Sequence, residues 1–244
     1  MNISNETRKL YDEKFYRIQQ IGSKTSAKEI VPLVVDLIQP KSVIDVGCGV
    51  GTWLSVFMDH GIKDVLGIDG TWVDKKMLLI PENCYLSHDL KRPINISRSF
   101  DLVLSLEVAE HLPKEYSRLF IKSLVSLGPL VLFSAAIPSQ GGKNHLNEQW
   151  QEYWVDLFMK ENYAVIDAIR RKVWNNDKVD YYYSQNMLLF SNEAYLEKNI
   201  SLKKEHENTV LSQINMVHPK LYLAKIVHPK IYKFNSILKE LSFL

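Results

Sequence analysis

The run Asp45-Val46-Gly47-Cys48-Gly49-Val50-Gly51 carries three glycines where a β-branched segment gives way to a helix-like one. A ligand can lie directly on such a turn only if no Cβ intervenes and a positive φ is allowed. The helix behind the turn offers unpaired N–H groups and the positive end of its dipole, which suit a ligand carboxylate. The dinucleotide pattern is G-x-G-x-x-G. Here Thr52 stands where its third glycine belongs, and the glycine comes one residue early. Asp45 also argues against a pyrophosphate, which it would repel. It suits a bound ammonium, reached directly or through water. Asp69 closes the next strand-like run, where a carboxylate can accept both hydroxyls of a ribose. Asp89, in Ser87-His88-Asp89-Leu90, follows a third run and is placed to meet an adenine amino group. Each acid taken singly reads equally well as a turn residue or helix cap. As an ordered set at successive strand ends, they mark the edge where open α/β sheets bind ligands.

Two histidines fall in loops that should face such a ligand. His111 ends Glu107-Val108-Ala109-Glu110-His111, and His145 ends Gln140-Gly141-Gly142-Lys143-Asn144-His145. A positioned imidazole can take the proton of an oxygen nucleophile. His111 reads as a packing residue as readily as a base. His145 stands in a glycine-flanked polar loop whose composition does not suit a core. Asn144, Glu148, Gln149 and Trp150 are candidates to line the same acceptor pocket. Tyr183, Gln185 and Asn186 are candidates to close it from the last strand pair, where the plainer reading is a solvated edge strand. Glu107, Glu110 and His111 match no established open metal-site pattern, so no metal is expected.

These residues need a scaffold. Ser26-Ala27-Lys28-Glu29 has the capping-box spacing for a helix through Ile30, Leu33, Val34, Leu37 and Ile38, stopped by Pro40. Residues 5–22, with Tyr11, Phe15 and Tyr16, read as a separate helical segment. Strands are expected at 42–46, 64–69, 84–86, 100–106, 130–136, 163–169 and 186–190. Helices are expected at 52–60, 73–79, 114–127 and 147–162. Such alternation argues for an α/β fold with a mostly parallel seven-stranded sheet covered on both faces. No convincing helix separates the last two strands, which points to a hairpin-like, antiparallel final strand. Three regions follow: an N-terminal helical segment (1–24), a ligand-binding domain (25–192) and a basic helical extension (193–244). From Met216 onward the chain has five Lys (220, 225, 230, 233 and 239) and one Glu (240). Val-His-Pro-Lys-[Leu/Ile]-Tyr occurs at 217–222 and again at 227–232.

VIDVGCGVGTW resembles the first motif of class I S-adenosylmethionine (SAM)-dependent methyltransferases. VLGIDG resembles their second, SHDL their third and FDLVLSLEVAEHL their fourth. The resemblance covers roughly residues 26–190 and implies a Rossmann-like methyltransferase sandwich with SAM as cofactor. It implies that Asp69, beside Gly70, binds the ribose, and that Asp89, beside Leu90, binds the adenine. It places Gly47, Gly49 and Gly51, with Asp45 and Glu107, on the methionine side. Trp72 is a candidate to cover the adenine face, and a core role suits it as well. FSAAIPSQGGKNHLNEQWQEYW and YYYSQNMLLF are similar to a bacterial subgroup encoded with surface-polysaccharide and glycan-modification genes. That likeness implies a sugar hydroxyl or a sugar-linked phosphate as acceptor.

Composition sets the outer bounds. The chain has 244 residues, 46% hydrophobic and 24% charged, with a net charge of +2. A sizeable core can be buried, and nothing global favours nucleic acid. Cys48 and Cys84 give no disulfide framework, which suits a reduced cytoplasm. The start, MNISNETRKLYDEKF, lacks the apolar core of a secretory signal, and no apolar run reaches the length of a membrane span. The basic tail suits a helical cap on the sheet domain or contact with an anionic membrane surface or a partner. Transfer to nitrogen or to a small metabolite, and a non-catalytic binding module, are the competing readings.

Overall fold

The computed structural model describes residues 13–227. Residues 1–12 of the expected N-terminal segment, and most of the second Val-His-Pro-Lys copy, lie outside the described residues. The first element is a helix, α1 (Glu13–Ile38). It runs through Ser26 without a break, which corrects the start expected there. Ser26 is fully buried, and its Oγ accepts the Asp180 N–H at 2.9 Å instead of capping a helix of its own. The boundary expected after residue 24 therefore falls inside one continuous helix. Gln39, at φ 51°, and Pro40 end α1.

Seven strands follow: β1 (Ser42–Val46), β2 (Asp64–Asp69), β3 (Tyr85–Ser87), β4 (Leu102–Leu106), β5 (Leu130–Ser134), β6 (Tyr163–Ile166) and β7 (Leu188–Asn192). They form one sheet in the order β3-β2-β1-β4-β5-β7-β6. The first five are mutually parallel. β7 inserts between β5 and β6 and runs antiparallel to both. β4 and β5 are buried along their whole length, as expected of parallel strands covered on both faces.

Side-chain alternation along the strands splits the core into two layers. Val43, Leu102, Leu104, Leu132 and Leu189 face α1 and α2 (Thr52–Asp59), where Val34, Trp53, Leu54 and Phe57 pack. Ile44, Val46, Val103, Val131, Phe133 and Phe190 face α3 (Ser117–Leu127) and α4 (Gln151–Met159), with Phe120, Trp154 and Phe158. Phe158 stacks on Phe190 with ring centroids 3.8 Å apart.

Two further corrections concern the connections. The helix expected at 73–79 is only a single 3₁₀ turn, Lys75–Met77. Two short helices, α5 (Arg170–Val173) and α6 (Tyr181–Asn186), occupy the β6–β7 connection where none was expected. Beyond β7 come α7 (Glu193–Lys198), α8 (Ile200–Glu207) and α9 (Pro219–Tyr222). The first Val-His-Pro-Lys copy is docked. His218 N–H donates to Gln185 Oε1 at 2.8 Å, and its Nε2–H donates to the Trp174 carbonyl at 2.9 Å. Arg170, fully buried, holds both oxygens of Asp167 and donates to the carbonyls of Gln185 and Ile214. Among the described residues no helix is long and apolar enough to cross a membrane.

Candidate functional site

Strand order reverses at β1, which has β2 on one side and β4 on the other. Chain connections diverge there and leave a crevice beyond the strands' C-terminal ends. The turn from β1 into α2 fills its floor. Gly47 and Gly51 have φ of 87° and 81°, a region that side chains with a Cβ avoid. A Cβ on Gly47 would run into Val108, and one on Gly51 would lie 2.9 Å from Ile80. The turn is tied to β2. Gly47 and Cys48 N–H groups donate to the Ile68 carbonyl at 2.7 and 3.1 Å. Asp69 Oδ2 accepts the Gly49 N–H at 2.7 Å, and its Oδ1 accepts the Gly70 N–H at 2.6 Å.

An open cleft lies above this turn, lined by Ser23, Asp45, Gly47, Cys48, Gly49, Val50, Thr52, Trp53, Leu106, Glu107 and Tyr183. Its acids are held out of water. Burial pushes the Asp45 carboxyl up to about 8, and the neighbouring Asp69 charge adds to this. Burial raises Asp69 to about 6 against the opposing hydrogen bonds from Gly70, Gly49 and the Trp72 indole. Burial raises Glu107 to about 7, opposed by hydrogen bonds with Asn186, Gln140, Ser134 and the Glu110 carboxyl. Desolvated acids of this kind regain their charge when a cation enters among them.

Glu107 follows β4 at φ 56°, and its N–H bonds to the carbonyl and Oγ of Ser134 on β5. Its oxygens accept Asn186 Nδ2–H at 3.1 Å and Gln140 Nε2–H at 2.8 Å. Gln140 Oε1 in turn accepts N–H groups from Gln185 and Asn186. Tyr183, Gln185 and Asn186 therefore lie on buried α6, not on an edge strand. Tyr183 walls the cleft, packed edge to face on Trp53 with ring centroids 5.1 Å apart and its hydroxyl 3.2 Å from Ser23 Oγ. Asn186 orients Glu107. Gln185 is fully buried and binds the first Val-His-Pro-Lys copy, so contact with an acceptor is closed to it.

The loops after β4 and β5 cross beside Glu107. Leu146 and Asn147 N–H groups donate to the Glu110 carbonyl at 2.8 and 3.0 Å. His111 Nδ1–H donates to the Asn144 carbonyl at 3.2 Å. His145 Nδ1 lies 2.9 Å from Glu148 Oε1. Glu148 is itself fixed by Ser139 and Gly141 N–H groups at 2.8 and 2.7 Å. The two imidazoles meet edge to face, 4.9 Å apart. Burial, then His145, lowers His111 to about 4, so it is neutral at ordinary pH. Burial, then the Glu107 charge, raises Glu110 well above the usual carboxylate range. Neither Glu110 oxygen makes a well-formed hydrogen bond, although the N–H groups of Glu110 and Ala136 favour its charged form. The sequence reading expects no metal; folding adds His145 to Glu110 and His111, a grouping that spacing along the chain does not display.

The remaining candidates are dispersed. The Trp72 ring covers Gly70 and packs with Val50 and Val73, next to Asp69. Asp89 is exposed, and its Oδ1 accepts the Lys91 N–H at 3.0 Å as a turn residue. Leu90 is buried in the layer of Phe100 and Val103, so its side chain is core. Asn144, at φ 63°, contributes its carbonyl to His111. Gln149 bonds Asn147, and Trp150, 39% exposed, precedes α4 at the surface. Sequence reasoning missed Ser23, Cys48, Thr52 and Trp53 as cleft residues and Gln140 as the partner of Glu107. Only Gln140 left a signal, its place in the same polar loop as His145.

A model of the family described as "Methyltransferase domain" matches residues 15–188. The fold is similar to Streptomyces venezuelae DesVI, at 14% identity and TM-score 0.54 over 74% of this chain and 96% of that one. It is similar to magnesium protoporphyrin IX methyltransferase (ChlM) from Synechocystis PCC 6803 with bound SAM, at 16% identity and TM-score 0.52 over 78% and 90%. It is also similar to the methyltransferase domain of bacterial CtHen1-C, at 20% identity and TM-score 0.52 over 70% and 98%. A comparison with curated proteins finds no significant match.

Proposed function

The chain belongs to the methyltransferase-domain family, and from that premise we propose that it transfers a methyl group from SAM to an oxygen of a surface glycan or its precursor, in the cytoplasm. SAM, when bound, supplies a methyl group already activated on a sulfonium. The protein's task is then alignment and, for a hydroxyl acceptor, removal of a proton.

The cleft residues fit that cofactor. Asp45 and Glu107, buried and raised, suit its positive charges, and the turn before α2 suits its carboxylate. Asp69, at the end of β2, takes the ribose hydroxyls in this reading. Gly70 and Trp72 flank the adenine, with Asp89 as a further contact from the exposed turn.

The observation that carries the oxygen acceptor is the pair His145–Glu148. A carboxylate that accepts Nδ1–H leaves the Nε2 lone pair to receive a proton. The pair lies on the loop whose Gln140 holds Glu107, itself a residue of the cleft wall. A sugar hydroxyl needs such a group; a sugar-linked phosphate needs it less. The glycan assignment is supported by the polar loop 139–150 and by the subgroup resemblance of residues 133–154. Asn144, Gln149 and Trp150 lie on that loop and offer polar and aromatic surface to a sugar. Lys220 and Lys225, with the basic residues after them, offer a contact for an anionic membrane surface.

The test is a mass-spectrometric screen of nucleotide sugars, lipid-linked precursors and polysaccharide incubated with SAM and protein. Gain of one methylene on an oxygen supports the reading. Methylation confined to amines overturns it.

A further inference from the structure

The crossing of the β4 and β5 loops assembles a ligand set that neither loop holds alone. Glu110, His111 and His145 each offer one ligand atom, and these atoms all lie within 4.8 Å of one another. The hydrogen bonds around them fix their chemistry. Asn144 O is a carbonyl and can only accept, so His111 carries its proton on Nδ1 and its lone pair on Nε2. Glu148 does the same for His145. Both partners are anchored, Asn144 in the left-handed turn and Glu148 by two backbone N–H groups. Gly142 belongs to the arrangement, since a Cβ there would run into the His145 ring. The independent observation is Glu110. Its side chain is fully buried, and neither oxygen makes a well-formed hydrogen bond, with only the N–H groups of Glu110 and Ala136 and the Glu107 carboxyl beside it. A buried carboxylate so weakly partnered is costly unless it is paired with a cation or neutralised.

We propose that Glu110, His111 and His145 bind one divalent transition-metal cation. Two imidazoles and one carboxylate form a donor set that suits zinc-like ions and leaves positions open for substrate. The Nδ1–H bonds to a carbonyl and a carboxylate are the outer contacts that hold metal-bound imidazoles. Bonds of about 2.0–2.2 Å need donors roughly 3.3 Å apart, so the site closes on the ion by about an ångström of side-chain movement. An acceptor hydroxyl on an open position would lose its proton more readily. With the ion bound, His145 is a ligand and the ion takes over the task assigned to its lone pair. That catalytic meaning rests on the methyl-transfer reading; the site itself does not.

The test is titration of chelator-stripped full-length protein with Co²⁺, read by visible absorbance and by equilibrium dialysis. The expected result is one equivalent bound, with visible ligand-field bands and no thiolate band from Cys48 or Cys84. Glu110→Gln, His111→Ala and His145→Ala should each weaken uptake at least roughly tenfold, while His88→Ala should not. Circular dichroism checks that each variant folds. If a variant does not fold, Glu148→Gln, which loosens His145 without removing a ligand, should weaken uptake in its place. Absence of stoichiometric uptake by the parent protein, or uptake that survives these substitutions, overturns the proposal. SAM calorimetry on the same stripped sample is independent: its failure would count against the cofactor reading and leave the cobalt result standing.

Discussion

The Gly49 N–H donates to Asp69 Oδ2 at 2.7 Å, so the turn after β1 and the acid that ends β2 form one unit. The bond crosses the sheet edge where the two loops meet. It makes the shape of the glycine turn and the position of the acid depend on one another.

Gly47→Ala should damage that unit. The substitution places a side chain in a left-handed conformation, which costs roughly 1–2 kcal/mol, and drives it into Val108. At about 2–4 °C per kcal/mol for a domain of this size, melting should fall by roughly 2–8 °C. Thermal unfolding checks this, and an unchanged melting temperature counts against the turn geometry.

Stability should depend on pH in a definite direction. Asp45 and Glu107, raised to about 8 and about 7, bind more protons folded than unfolded above their ordinary values. Stability therefore falls as pH rises through that window. His111 acts oppositely, because its folded value near 4 lies below its ordinary 6.5, but that gain is complete by pH 7. Between pH 6.5 and 8 the melting temperature of the ligand-free protein should fall by a few degrees. A cationic ligand lowers both acids, so SAM binding near pH 7 should release protons. Calorimetry in two buffers of different ionisation enthalpy measures that release, and proton uptake would contradict it.

Arg170→Met should loosen the C-terminal extension. It leaves Asp167 buried without its partner and removes the donor to Ile214. Breaking such a pair costs roughly 3–5 kcal/mol. Urea unfolding gives the magnitude, and limited proteolysis between Asn208 and Met216 should accelerate. A change under about 1 kcal/mol, the typical effect of any substitution, would contradict the account.

His145→Ala should lower kcat by about a hundred- to ten-thousand-fold on a hydroxyl acceptor, with SAM affinity little changed. Steady-state kinetics on an acceptor found in the mass screen provides the check. A rate within a few-fold of the parent would favour an acceptor that needs no deprotonation.

The sheet and its ligand turn were legible because their signals are local. Ser42–Val46 and Asp64–Asp69 are short β-branched runs, and each ends in residues with positional meaning, the glycines and Asp69. The start of α1 was misplaced because Ser26-x-x-Glu29 satisfies the capping pattern while its hydroxyl is engaged by Asp180, far away in the chain. The same distance hid the Glu107–Gln140–Asn186 network and moved Gln185 from the acceptor side into the core. The residues were read as polar, but their partners come from four separate loops and helices. His145 and Glu110 were each noticed, yet only the crossing of two loops brings them together.

The most direct measurement is isothermal titration of the intact protein with SAM, beside Asp69→Ala. The account predicts one site with an affinity in the micromolar-to-millimolar range common for enzyme substrates. Loss of a charge-assisted hydrogen-bonding partner, roughly 1.5–3 kcal/mol, should weaken Asp69→Ala by about ten- to a hundred-fold. No binding by the folded parent protein at millimolar SAM, or equal binding by Asp69→Ala, would contradict it.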